Sequence, residues 1–261
     1  MQTPVATPQP TRSAFRLALI PMLCMIAAHT ARADIVSIVA SRDATLYESE
    51  DGTLANGAGE YFFAGNTYQG RARRGLVHFD IASLVPTGAT IVSARLHVYS
   101  WQGILGTHAI SLHRALEDWT CGTSNPDGPE GVGTDVTAGD TTWLFCTADG
   151  AGGGTAWSTP GGVFASEASA SVLIGETGFY SWSSAQLAED VRSFLADPAS
   201  NFGWFLVGNE SEFGTARRFD SVESAAFGGF PPTLEIEFAT VPSPGAIALV
   251  ALAGGTRRRR R

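Results

Sequence analysis

The stretch ATIVSARLHVYSW, residues 89–101, alternates side-chain character with a period of two. Val92, Ala94, Leu96 and Val98 fall on one face, and Ser93, Arg95, His97, Tyr99 and Trp101 on the other. An extended chain sends successive side chains to opposite sides, so this is the pattern of a strand with one buried face. A helix would repeat its apolar residues every three to four positions instead. PPTLEIEF (231–238) repeats the pattern, with Leu234, Ile236 and Phe238 opposite Glu235 and Glu237. RGLVHFDI, HAISLHRAL, SASVLIG and GWFLVG supply further short apolar bursts between Gly, Asp, Asn and Ser clusters. Many short strands joined by tight turns point to an all-β, antiparallel β-sandwich.

One segment breaks the pattern. SSAQLAEDVRSFLADP (183–198) opens with serines able to cap a first turn and stops at Asp197-Pro198. It sets Leu187, Val191, Phe194 and Leu195 on one stripe, so one short α-helix is predicted near 184–196. No internal repeat is visible, and the length suits one domain, residues 34–240.

The two ends read as addresses. Residues 1–33 carry Arg12 and Arg16, the apolar run LALIPMLCMIAA and a small-residue site ending at Ala33. This order predicts a secretory signal peptide cleaved between Ala33 and Asp34. Residues 241–261 begin with Val241-Pro242-Ser243-Pro244, continue through a short apolar run and finish in five arginines. The run is too short to span a hydrocarbon core of about 30 Å unaided, and its arginines resist translocation. A sorting element with transient membrane association is expected.

Between these ends the charge is lopsided. Every basic residue is arginine, and nine arginines against all 25 carboxylates leave segment 34–240 at a formal charge of −16. Such a surface repels phosphate backbones, which argues against nucleic acid as a partner. It also disfavours polyanionic glycans and suits divalent cations, so a glycan ligand is expected to be neutral or calcium-bridged.

Cys121 and Cys146 are the two cysteines left after signal removal. In an oxidising compartment a disulfide between them is expected, with paired metal-binding thiolates as the alternative. The turn YESEDGTLANGAGE, with Asp43 just before it, offers Asp43, Glu48, Glu50 and Asp51 as oxygen ligands, making calcium the candidate cofactor. Their other reading is a set of ordinary surface carboxylates.

No nucleophile elbow, His-Glu-x-x-His or phosphate-cradling glycine loop is present. Glu117 and Asp118 are adjacent and would face opposite sides of a strand, as would His108 and His113. The expectation is therefore no catalytic residues and no enzyme. Aromatic faces bind sugars by stacking, which nominates Tyr99, Trp101, Trp143 and Trp157 as a ligand platform. Their other reading is that several of them roof the core or pin the long glycine-rich loop, and Trp119, Trp182 and Trp204, inside apolar blocks, read as core.

The order RRGLVHFDIASLVPTGATIVSARLHVY, ISLHRALEDW, YSWSSAQLAEDVRSFLADPASNFGWFLVGNES, RRFDSVE and PPTLEIEF resembles the DNRLRE, or disaggregatase-related, domains. The eponymous hexapeptide is absent, and Arg217-Arg218-Phe219-Asp220-Ser221-Val222-Glu223 stands in its place. The resemblance implies a jelly-roll β-sandwich of carbohydrate-binding-module type. The ending resembles a PEP-CTERM sorting signal, with Ser243 where that family has glutamate. That likeness implies processing by an exosortase-type enzyme and delivery by the secretion machinery to the surface or extracellular matrix of a Gram-negative-type cell. The function expected is a non-catalytic module binding polysaccharide. A structural or adhesive envelope protein is the alternative, and a polysaccharide-degrading enzyme a lesser one.

Overall fold

The computed structural model describes residues 33–101, 106–128 and 130–240. The expected signal peptide, apart from its cleavage point, and the sorting motif Val241–Pro244 lie outside the described residues. Among the described residues no helix is long and apolar enough to cross a membrane.

The chain begins with β1 (Ala33–Val39), β2 (Arg42–Tyr47), the short β3 (Leu54–Ala55), β4 (Tyr61–Asn66) and β5 (Ala72–His78). The long β6 (Thr90–Trp101) and β7 (His108–Arg114) follow. Three short strands come next: β8 (Thr134–Asp135), β9 (Phe145–Ala148) and β10 (Gly154–Ala156). After β11 (Ala170–Ile174) and β12 (Gly178–Ser183) comes α1 (Ala185–Ala196). β13 (Trp204–Val207), β14 (Arg217–Asp220) and β15 (Thr233–Ala239) complete the fold.

Eleven strands join in one antiparallel network, β1-β15-β6-β14-β4-β5-β13-β7-β11, with β12 on β6 and β2 on β5. The network doubles over at β4. Tyr61–Ala64 pair with β14, whereas Gly65 and Asn66 pair with β5. Inward residues from both halves meet in one core: Phe62, Leu96, Val98, Phe219 and Ile236 from one, Val77, Ile110, Leu112, Trp204 and Leu206 from the other. The described residues thus form the expected all-β sandwich with one short α-helix.

Gly65 makes the corner. Its φ is +115, and a Cβ there would lie 2.8 Å from Ala216 Cα and from Thr215 O, both backbone atoms that cannot rotate away. Gly65→Ala is expected to destabilise by about 1–3 kcal/mol through left-handed strain and overlap. Urea unfolding checks this, and an unchanged midpoint would refute it.

The helix forms as the serines predicted. Ser184 Oγ accepts the Leu187 N–H at 2.9 Å, and Leu187, Val191, Phe194 and Leu195 are buried. A cap of this kind contributes about 1 kcal/mol. Asp190 shares the buried face, and its Oδ2 accepts the Trp204 indole N–H at 3.0 Å and the Ser169 hydroxyl.

Strand β6 corrects one detail. Val92 is not on the buried face; it is 50% exposed, and Ile91 takes the core position. β15 skips a residue here, pairing Glu237 with Ser93 and Phe238 with Ile91. This bulge inverts the alternation below Ser93.

A second apolar cluster lies on the far side of β2, β5 and β13, around Leu46, Leu76, Phe205, Trp119, Trp157 and Cys146. Segment 116–169 therefore folds over the outer surface of this half-sheet, and all but the first residue of β2 is buried.

Candidate functional site

The other outer face carries a groove. Tyr99 and Trp101 project from the last turn-free stretch of β6 on the side away from the core, half-buried. The neighbouring strands extend the row. Arg218 of β14 stands in register with Trp101, Phe179 of β12 with Tyr99, and Tyr61 of β4 with Asp220. Alternation in each strand sends these side chains the same way, because Phe219 and Phe62, between them, point into the core.

The rings touch but are not coplanar. Tyr99 meets Phe179, Phe230 and Trp101 at 5.0, 5.0 and 5.5 Å, with interplanar angles of 75°, 41° and 78°. Tyr61 stands edge-on to Trp101 at 6.4 Å and 86°. The Arg218 guanidinium lies 4.2 Å from the Tyr61 ring centroid and 5.2 Å from that of Trp101. Between them is a groove of about 310 Å³, lined by Glu60, Tyr61, Tyr99, Trp101, Asp220 and the 224–230 segment. Phe179 and Phe227 are 62% and 72% exposed.

Buried polar groups hold this arrangement. Asp220 accepts the Trp101 indole N–H at 2.6 Å on one oxygen and the Phe230 N–H at 2.8 Å on the other. Glu130, reaching in from segment 116–169, accepts the N–H groups of Glu60 and Tyr61 at 3.0 and 2.9 Å. Its own φ is +51, and its carbonyl accepts the Tyr47 hydroxyl at 2.7 Å. Asp43 accepts the Val222 N–H at 2.6 Å, tying down the segment that carries Phe227 and Phe230.

Burial, with Glu223 and Glu130 adding repulsion, raises the Asp43 carboxyl well above the usual range. Burial also raises Glu223 and Glu130. A carboxyl raised on folding binds its proton better in the native state, so its stabilising effect is complete at low pH. That effect is lost as pH climbs from the unfolded value through the folded one. Asp43→Asn, which keeps an acceptor for Val222, is therefore expected to raise the melting temperature more at pH 8 than at pH 4. Equal shifts at both would contradict this.

The other expected site residues lie elsewhere. Trp157 is core, not platform: it is 4% exposed, and its indole N–H donates to Thr142 O at 3.0 Å. Trp143 is stacked under Arg74 at 4.7 Å, and Arg74 is held bidentately by Glu210 at 2.7 and 2.8 Å. Its place is the lid over the second cluster, separate from Tyr99 and Trp101. The glycine-rich loop that carries both tryptophans covers apolar strands.

The four carboxylates nominated for calcium are not gathered at one point. Asp43 is buried under Val222, while Glu48 accepts the Ala72 N–H at 2.6 Å and Asp51 turns back onto Thr53. Glu48, Glu50 and Asp51 share a pocket with Arg71 and Arg73, a poor environment for a divalent cation. Among the described residues no group of three or more His, Cys, Asp or Glu side chains is placed to hold a metal ion.

Cys121 and Cys146 are free thiols in the structure rather than the expected disulfide. The β9–β10 pairing turns Cys146 Sγ toward Thr155 O, to which it donates at 3.3 Å. Cys121 sits half-buried at the edge of the same cluster, and burial pushes both thiols up. Ala33 and Asp34, the expected cleavage point, open β1 opposite Ala239 and Phe238. No protein-family model matches the chain, and no curated protein matches it.

Tyr61, Phe179, Arg218, Asp220 and Phe230 are site residues that the sequence reading did not single out. For the first four the signal is alternation within β4, β12 and β14, but only strand pairing shows that they share one face; Phe230 comes from the connection before β15.

Proposed function

We propose that residues 34–240 form a non-catalytic saccharide-binding module of an exported protein, with the aromatic groove as its binding site. The observation that carries this reading is the joining of Tyr99 and Trp101 with Tyr61 and Phe230 around an open groove with polar side chains at its edge. Ring faces stack on the C–H surfaces of a sugar, while the Glu60 carboxylate offers oxygens to its hydroxyls. The signal-like start and the PEP-CTERM-like end support export to the cell surface or matrix, with an exosortase-type enzyme as processing partner. The DNRLRE resemblance supports a carbohydrate ligand.

A second reading is an adhesive envelope protein. It draws on the edge-to-face rings and on the exposure of Phe179 and Phe227, which suit an apolar protein contact as well as a sugar.

Affinity electrophoresis of the full-length chain through polysaccharide gels separates the two. Tyr99→Ala and Trp101→Ala are expected to weaken retention about tenfold or more, an anchor-residue effect of at least 1.4 kcal/mol. Tyr99→Ala should melt close to the parent, whereas Trp101→Ala, which takes the indole donor from buried Asp220, should melt lower yet remain folded. Retention unchanged by both substitutions, or retention by no polysaccharide, would remove the saccharide reading and favour the adhesive one.

A further inference from the structure

We propose that the sugar unit held in the groove carries a protonated amine, as a 2-amino-2-deoxy sugar does. This rests on the saccharide-binding reading above and narrows it to a chemical class.

Three observations converge. First, the groove lining contains two carboxylates, Glu60 and Asp220, and no arginine or histidine, while the chain has no lysine. The two carboxylates differ in a telling way. Asp220 has both oxygens engaged, by the Trp101 indole and the Phe230 amide. The Glu60 carboxylate is half-buried at the groove and accepts no hydrogen bond from a described residue. It is an acceptor at the groove wall with no donor from the described residues. An ammonium donor would meet it as a charge-assisted bond, stronger than a hydroxyl could make.

Second, the walls are π faces. Tyr and Trp rings attract cations, and this cluster already does so with the chain's own guanidinium: Arg218 rests on Tyr61 and Trp101. Arg218 lies outside the groove lining, to which Tyr61, Tyr99, Trp101 and Phe230 all contribute. Edge-to-face rings form walls at steep angles rather than one flat shelf, which suits a compact charged group set beside a stacked ring.

Third, the long-range field agrees with the local one. A formal charge of −16 on segment 34–240 concentrates cations and repels uronate or sulfated chains. Arg218 is committed to ring faces, and the groove lining itself carries Glu60 and Asp220.

The test is calorimetric titration of the full-length chain with β-1,4-linked hexasaccharides of glucosamine, N-acetylglucosamine and glucose, and with a hexauronate. Hexalysine serves as a polycation without ring faces. The glucosamine oligomer is expected to bind about tenfold tighter than the N-acetylated and neutral ones, with the uronate weakest. Glu60→Gln should erase that preference. Glu167→Gln, which removes an exposed carboxylate of the β10–β11 connection, should preserve it, and Trp101→Ala should weaken every saccharide. Several results would overturn the proposal. If N-acetylated or neutral oligomers bind as tightly as glucosamine, still sensitive to Trp101→Ala, the amine is irrelevant and the groove reading stands. If hexalysine matches glucosamine and Glu60→Gln changes nothing, the attraction is diffuse charge alone. If no saccharide binds, both this inference and the proposed function fall.

Discussion

Trp204→Ala is expected to destabilise the domain by about 3–5 kcal/mol, the usual range for deleting a buried tryptophan. Trp204 is fully buried on β13, a strand paired on both edges, by β5 and by β7. Its ring meets Phe194 at 5.1 Å and Phe79 at 6.2 Å, so it joins the helix to the sandwich core. Alanine would leave a cavity between layers that cannot close without moving α1. For a chain of this size the loss corresponds to a fall in melting temperature of roughly 6–20 °C. Differential scanning calorimetry checks it, and a shift of only one or two degrees would show that α1 is loosely attached.

The second large effect belongs to Asp190. Its carboxylate is buried on the helix and accepts from Trp204 and Ser169 on one oxygen and from Gln186 at 3.2 Å on the other. Asp190→Ala strands an indole N–H and a hydroxyl in the interior, at about 3 kcal/mol for the two. Asp190→Asn retains a carbonyl for Trp204 and Ser169, and Gln186 can turn its amide to match, so a loss nearer 1 kcal/mol is expected. The two alanine variants share one contact, and the double variant should lose less than their sum. Strict additivity would mean that the Asp190–Trp204 bond contributes nothing.

What could be read from the sequence was what is encoded locally. Leu234, Ile236 and Phe238 alternate with glutamates and are buried as expected, and Ser184 caps the helix whose stripe includes Val191 and Phe194. Tyr99 and Trp101 were legible as outward-facing aromatics because alternation fixes a face once the opposite face is apolar. The inversion at Val92 was not legible, because a bulge is a relation between two strands. Nor was the burial of Trp157. A glycine-rich stretch looks the same whether it hangs in solvent or lies over a second apolar face, and here Leu46, Leu76 and Phe205 provide that face. The groove and the aromatic row beside it draw on five separate stretches of chain, and only the register between β4, β6, β12 and β14 reveals them.

The register of β6 has a mechanical consequence. At one end Thr90 pairs with Ala239, where the chain leaves for its C-terminal segment; at the other stands Trp101. Eleven residues of strand separate them, roughly 37 Å at about 3.4 Å per residue. A chain anchored through its C-terminal end and gripped at the groove would be pulled along the strand axis. β15 would then be dragged lengthwise past β6 and β1, its two hydrogen-bonded neighbours. Tension in that direction loads the ladder bonds together, in shear. Peeling from an edge would instead break them one after another. With the C-terminal tether and the groove ligand proposed above, the fold would resist most strongly along the line that joins the two.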